Sequence, residues 1–114
     1  MILIIGATSS GKTTYAHKLA ARHGWNENDV ALDAEELLWD AGHAVALTEN
    51  LVDALAHKHV VTCAEVGGGV VPLSPEERAW REAVGQMSCA LAERASCVVR
   101  MVCGIPVQLK GEDA

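Results

Sequence analysis

Near the start of the chain, Gly6, Gly11, Lys12 and Thr13 stand in the order Gly6-x4-Gly11-Lys12-Thr13. Each residue type has a task at that spacing. The two glycines let the backbone curl so that successive N–H groups point inward at a phosphate, and a helix starting just after adds its dipole. Lys12 brings a cation to the β- and γ-phosphates, and the Thr13 hydroxyl is a magnesium ligand. The pattern is that of a phosphate-binding loop. The expected nucleotide-binding residues are therefore Gly6, Ala7, Thr8, Ser9, Ser10, Gly11, Lys12, Thr13 and Thr14. ATP or GTP is the expected substrate, with Mg2+ as its ion.

Such a site also needs an acid that holds the metal or its waters, usually at the end of a neighbouring strand. Asp33 follows the apolar run Val30-Ala31-Leu32 and fits that place; it fits equally as the N-cap of a helix containing Leu37 and Leu38. Glu65 lies just beyond a second apolar run and before three glycines. It reads either as an acid at the site or as a solvated loop residue. Lys12, Asp33 and Glu65 are the candidate catalytic residues, and Thr13 and Asp33 the candidate metal ligands.

These side chains need a scaffold. Ile2 to Ile5 is a continuous apolar run, the pattern of a strand buried on both faces in a parallel sheet. A helix is expected from Thr13 to His23, with Tyr15, Leu19 and Ala20 at helical spacing and Gly24 as its stop. Ala34 to Lys58 is mostly helical in pattern with a break near Gly42, and His59 to Cys63 reads as a strand leading into the glycine turn Gly67-Gly68-Gly69. Ser74-Pro75-Glu76-Glu77 announces a helix running to about Ala95, with Ser74 and Glu77 as a capping box. Cys97 to Cys103 is the last buried strand, and Gly104-Ile105-Pro106 turns it into Val107-Gln108-Leu109. The alternation predicts an α/β, P-loop NTPase-like three-layer sandwich with a mainly parallel sheet and a final strand pair near the C-terminus.

The 114 residues are 50% apolar and 21% charged, which suits one ordered domain spanning 1–114. Nine basic and 15 acidic side chains leave a net charge of −6. That balance argues against a broad nucleic-acid or anionic-membrane surface, but not against a nucleotide in a local pocket. Cys63, Cys89, Cys97 and Cys103 show neither C-x-x-C nor zinc-site spacing and read as buried, reduced thiols. The apolar start is too short for a signal peptide, and no run reaches membrane-spanning length, so a cytoplasmic protein is expected.

The second half carries a more particular likeness. Val61-Thr62-Cys63-Ala64-Glu65-Val66-Gly67-Gly68-Gly69-Val70-Val71-Pro72 resembles the T-N-E-V-G-x-G-I-V-P segment of the adenosylcobinamide kinase / adenosylcobinamide-phosphate guanylyltransferase family. Arg78-Ala79-Trp80-Arg81-Glu82-Ala83-Val84-Gly85 is similar to its R-x-F-R-D-x-x-G helix, and Val102 to Gly111 to its closing V-x-G-I-P-x-x-L-K-G. Leu32-Asp33 with Leu38-Trp39 is similar to its L-D-C-x-T-L-W segment, with one residue inserted. The resemblance implies phosphorylation of the aminopropanol hydroxyl of a corrinoid, followed by GMP transfer from GTP through a guanylylated histidine. It implies phosphate and magnesium binding by Lys12 and Thr13, a metal-side acid at Asp33, a catalytic-loop place for Glu65, and a homo-oligomer.

The chain also departs from that pattern. It is shorter than typical members, and the deficit falls between the first helix and Asp33, where the family carries the histidine that takes up GMP. None of His17, His23, His43, His57 and His59 stands in a matching context. Ala64 replaces the asparagine before Glu65, and Ser88-Cys89 replace an N-Q pair. The kinase half is therefore the favoured expectation over the guanylyltransferase half. Two alternatives stay open: a nucleotide-binding module without turnover, and a P-loop kinase for another small alcohol.

Overall fold

The computed structural model describes residues 1–40, 45–66 and 74–112. Strand β1 (Ile2–Gly6) is central in a five-stranded sheet with β2 (Val30–Ala31), β3 (Val60–Ala64), β4 (Cys97–Val102) and β5 (Ile105–Lys110), in the order β2-β3-β1-β4-β5. The first four strands pair in parallel, and β5 closes the edge antiparallel to β4. The helices are α1 (Lys12–His23), α2 (Ala34–Asp40), α3 (Val45–Ala56) and α4 (Pro75–Arg94).

The apolar run of β1 divides its side chains between two cores, as a pleated strand must. Ile2 and Ile4 join Val60, Val99 and Met101 beneath Ala16 and Leu19 of α1. Leu3 joins Val61, Cys63 and Val98 beneath Leu38 of α2, Leu55 of α3, and Val84, Met87 and Leu91 of α4. The result is the expected three-layer α/β sandwich with a mostly parallel sheet and a terminal antiparallel pair.

Local chemistry sets the boundaries. α1 begins at Lys12, directly after Gly11 at φ 96°, and ends at Gly24 at φ 73°, whose N–H donates to the Ala20 carbonyl. Pro75 opens α4, and the Ser74 side chain accepts from the Glu77 N–H at 3.1 Å. The expected capping box is only half made. The Glu77 carboxylate turns forward to Arg81, one helical turn on, at 3.0 Å. The final turn also shifts: Cys103 and Gly104, at φ 50° and 78°, form the bend, and Ile105 and Pro106 already belong to β5. Two positive φ values suit a two-residue hairpin, and Pro106 is tolerated because β5 is an edge strand. The break near Gly42 and the turn Gly67-Gly68-Gly69 lie outside the described residues.

Burial corrects the reading of the cysteines. Cys63 and Cys97 are buried, whereas Cys89 and Cys103 are exposed, one on the outer face of α4 and one at the hairpin bend. No helix among the described residues is long and apolar enough to cross a membrane.

Candidate functional site

The carboxyl end of β1 runs straight into the loop Ala7–Gly11, beside the carboxyl end of β3, where Gly6 pairs with Ala64. In α/β sheets with a central crossover, ligand clefts open at this end of the strands. The loop is held tightly. A Cβ at Gly6 would lie 2.5 Å from the Ser10 hydroxyl oxygen and 2.9 Å from the Met101 carbonyl, so only glycine fits. Ser9 takes φ 61°, the Ser10 N–H donates to the Ala7 carbonyl at 3.2 Å, and the Gly104 N–H donates to the Ser10 carbonyl at 2.9 Å. The hairpin bend thus braces the loop from the far side of the sheet's edge pair.

Lys12 is buried, at 8% exposure, and its Nζ donates to the carbonyls of Gly6 at 3.0 Å and Ala7 at 2.8 Å. An ammonium held over its own loop sits where an incoming phosphate would replace the carbonyls as its acceptor. The loop and the start of α1 form one wall of a cleft of about 490 Å³, lined by Thr8, Ser9, Ser10, Gly11, Lys12, Thr13 and Thr14. Asp33, Glu35, Glu36 and Ala64 line the rest. The Ser10 hydroxyl is buried there with no hydrogen-bond partner.

The sequence-derived acids separate. Asp33 lines the cleft at φ 55°, outside the extended range typical of an N-cap; its N–H donates to the buried Thr62 hydroxyl at 2.8 Å. Glu65 is placed elsewhere. Its carboxylate receives Arg100 through Nε at 2.6 Å and a terminal nitrogen at 3.1 Å, and it does not line the cleft. That carboxylate stabilises the guanidinium and raises the Arg100 pKa further above its ordinary value. Glu65 touches the loop only through its backbone, donating its N–H to the Gly6 carbonyl at 2.9 Å.

Glu35 takes the place beside Asp33 that sequence reasoning did not assign. It is 8% exposed, its Oε1 accepts the Ala64 N–H at 2.8 Å, and its backbone carbonyl accepts the Trp80 indole N–H at 2.8 Å. The available signal was three acids, Asp33, Glu35 and Glu36, around a helix start; such acids usually serve the helix dipole. Behind the cleft, Cys63 is pushed up to about 11, mainly by burial and only partly offset by its hydrogen bond to Ser88.

His17, His23, His57 and His59 are exposed, and none of these four lines the cleft. His23, Trp25 and His59 instead stack in series, with ring centroids 4.3 and 4.6 Å apart. His43 lies outside the described residues.

The mostly parallel α/β sandwich is consistent with a P-loop-like fold, and its glycine-rich loop, buried lysine and acids line one cleft. The family model for cobinamide kinase / cobinamide phosphate guanyltransferase (CobU) matches residues 28–109. The chain belongs to that family, whose enzymes act as kinase and nucleotidyltransferase in cobalamin biosynthesis. Among curated proteins, none matches the chain. The family match begins downstream of the Gly6–Thr13 loop, so loop geometry and family membership are separate observations.

Proposed function

We propose that the chain carries the kinase half of its family's chemistry: transfer of the terminal phosphoryl group of ATP or GTP to a hydroxyl of a cobinamide-type corrinoid. The observation that carries this reading is the buried Lys12 ammonium, held over a glycine-braced loop in a cleft that Asp33, Glu35 and Glu36 also line. Phosphoryl transfer asks little covalent chemistry of the protein; positioning and charge stabilisation do the work. Lys12 and the loop N–H groups would hold the phosphates, and Thr13 would meet the metal.

The cleft's donor set suits Mg2+. The Thr13 hydroxyl and the Asp33 carboxylate are hard oxygen donors. Among the described residues no three His, Cys, Asp or Glu side chains form a ready metal cage. Mg2+ commonly rests on one or two carboxylates plus substrate phosphates, so such a cage is not required. When bound, the ion would neutralise phosphate charge; Asp33 would orient it and the acceptor hydroxyl.

Kinase is preferred over guanylyl transfer because covalent GMP transfer needs a positioned nucleophile. The four described histidines stand away from the cleft. Incubation of the chain with cobinamide and saturating ATP or GTP, followed by mass spectrometry, tests the proposal. Gain of one phosphate on the corrinoid is expected; its absence would overturn the reading, and gain of GMP would restore the other half. A binding module without turnover is the second reading, supported by the engagement of the Glu65 carboxylate with Arg100 outside the cleft. Nucleotide binding without product on any hydroxyl acceptor would favour it.

A further inference from the structure

Glu35 presents an electrostatic contradiction. It is a carboxylate more than nine-tenths buried, lining a cleft proposed to receive a polyanion, and its side chain is met by one backbone N–H. No cation forms an ion pair with it among the described residues. A buried carboxylate without a counter-charge is costly, and one facing phosphates is costlier. Ser10 lines the same cleft, with its hydroxyl packed against Gly6 and without a partner. Lys12 is engaged with the carbonyls of its own loop.

We infer that Glu35 is a specificity-determining residue that makes the cleft select metal-complexed triphosphate over the free polyanion. Resting on the nucleotide reading above, the inference adds a second carboxylate to Asp33 on the metal side. Free triphosphate meets the Glu35 charge as repulsion. The magnesium complex would bring a dication into the cleft with the phosphates, and Glu35 would then attract rather than repel. The Ala64 N–H and the Trp80 indole fix the start of α2, so the carboxylate cannot swing out to solvent without breaking the β3–α2 contact.

The test is calorimetric titration of GTP and ATP into the full chain, with Mg2+ and with EDTA. Wild type is expected to bind the magnesium complex at least about tenfold more tightly than the free nucleotide, equal to about 1.4 kcal/mol. Glu35→Gln keeps an oxygen for the Ala64 N–H and removes the charge. It should bind free nucleotide more tightly and the magnesium complex less tightly, lowering the ratio at least about threefold while Asp33 and Thr13 keep part of it. Glu82→Gln, on the exposed face of α4, makes the same charge change and should leave the ratio as in wild type. A merely structural role for Glu35 would weaken both forms together, and an unchanged ratio in Glu35→Gln overturns the inference. Glu35→Asp keeps the charge one methylene back and should fall between wild type and Glu35→Gln; a ratio at or below that of Glu35→Gln also overturns it. Wild type that binds neither nucleotide form overturns the nucleotide reading itself.

Discussion

In the cleft between the phosphate loop and α2, the Ser10 hydroxyl is buried without a partner and Glu35 is buried without a cation. At the β4–β5 edge the arrangement is reversed. Gln108 donates to the Cys97 sulfur and to the carbonyls of Lys110 and Glu112; Lys110 donates to the carbonyls of Ala92 and Glu93. Arg100 and Glu65 satisfy each other. The edge is exposed along all of β5, so water would have satisfied those groups in any case. The cleft groups have no such recourse. On the proposed reading, the Ser10 hydroxyl and the Glu35 carboxylate would be completed by a ligand, whereas the edge is complete without one.

The strongest break of this contrast is Lys12→Ala. If the cleft binds phosphates, removing the ammonium deletes charge-assisted bonds and should weaken ATP or GTP binding by roughly 100-fold, about 2.7 kcal/mol. Calorimetry checks it, and unchanged affinity would place the nucleotide elsewhere. The helix should survive, because Lys12 bonds only to loop carbonyls.

The next effect lies between the regions, at Cys63. Burial raises its pKa from 9.0 to about 11, so the neutral thiol is the favoured folded form. Its contribution is complete below pH 9 and is lost as pH rises toward 11, a change on the order of 2–3 kcal/mol. Urea unfolding at pH 8 and pH 10.5 should show the alkaline loss in wild type and a smaller one in Cys63→Val, which keeps an apolar side chain there. Equal losses would show that Cys63 does not set the alkaline limit.

What was legible in the sequence follows the same division. The sheet could be read because the Ile2–Ile5 run has no polar break, and Ser74-Pro75 marks the start of α4 by backbone chemistry alone. The loop could be read because its glycines answer to local sterics: Gly6 cannot carry a Cβ and Gly11 sits at φ 96°. The acids were harder. Asp33 and Glu65 each end an apolar run, and nothing local says that Arg100, 35 residues away, will engage the Glu65 side chain. Glu35 was hidden for the opposite reason. An acid in a first helical turn has an adequate local explanation in the helix dipole, and only the tertiary pairing with Ala64 shows that it faces the cleft. The Glu77 half of the capping box failed to a rival of the same kind, Arg81 one turn away.

Ser10→Ala carries a smaller effect with opposite signs in the two states. In the free protein the hydroxyl is desolvated without a bond, so its removal should leave stability unchanged or raise it by about 0.5–1 kcal/mol. With nucleotide, the lost hydroxyl should weaken binding about 3- to 10-fold. Thermal melts with and without GTP give both signs in one experiment. A loss of stability in the free protein would mean that the hydroxyl already has a structural task.

The smallest effect is expected at Glu65, and it bears most directly on the division of the molecule. A catalytic carboxylate must reach the reacting atoms, whereas this one is engaged by Arg100 on the partly exposed side of the sheet. Exposed ion pairs of this kind contribute little. Glu65→Gln should therefore leave nucleotide affinity within about twofold of wild type, a margin set by the weakness of exposed pairs. Arg100→Gln, which frees Glu65 without altering the cleft, should do the same. If Glu65→Gln abolishes transfer while Arg100→Gln preserves it, Glu65 leaves its pair and enters the cleft when substrate binds. The carbonyl of Gly6, which accepts both the Glu65 N–H and the Lys12 ammonium, would then be the hinge about which the two regions exchange partners.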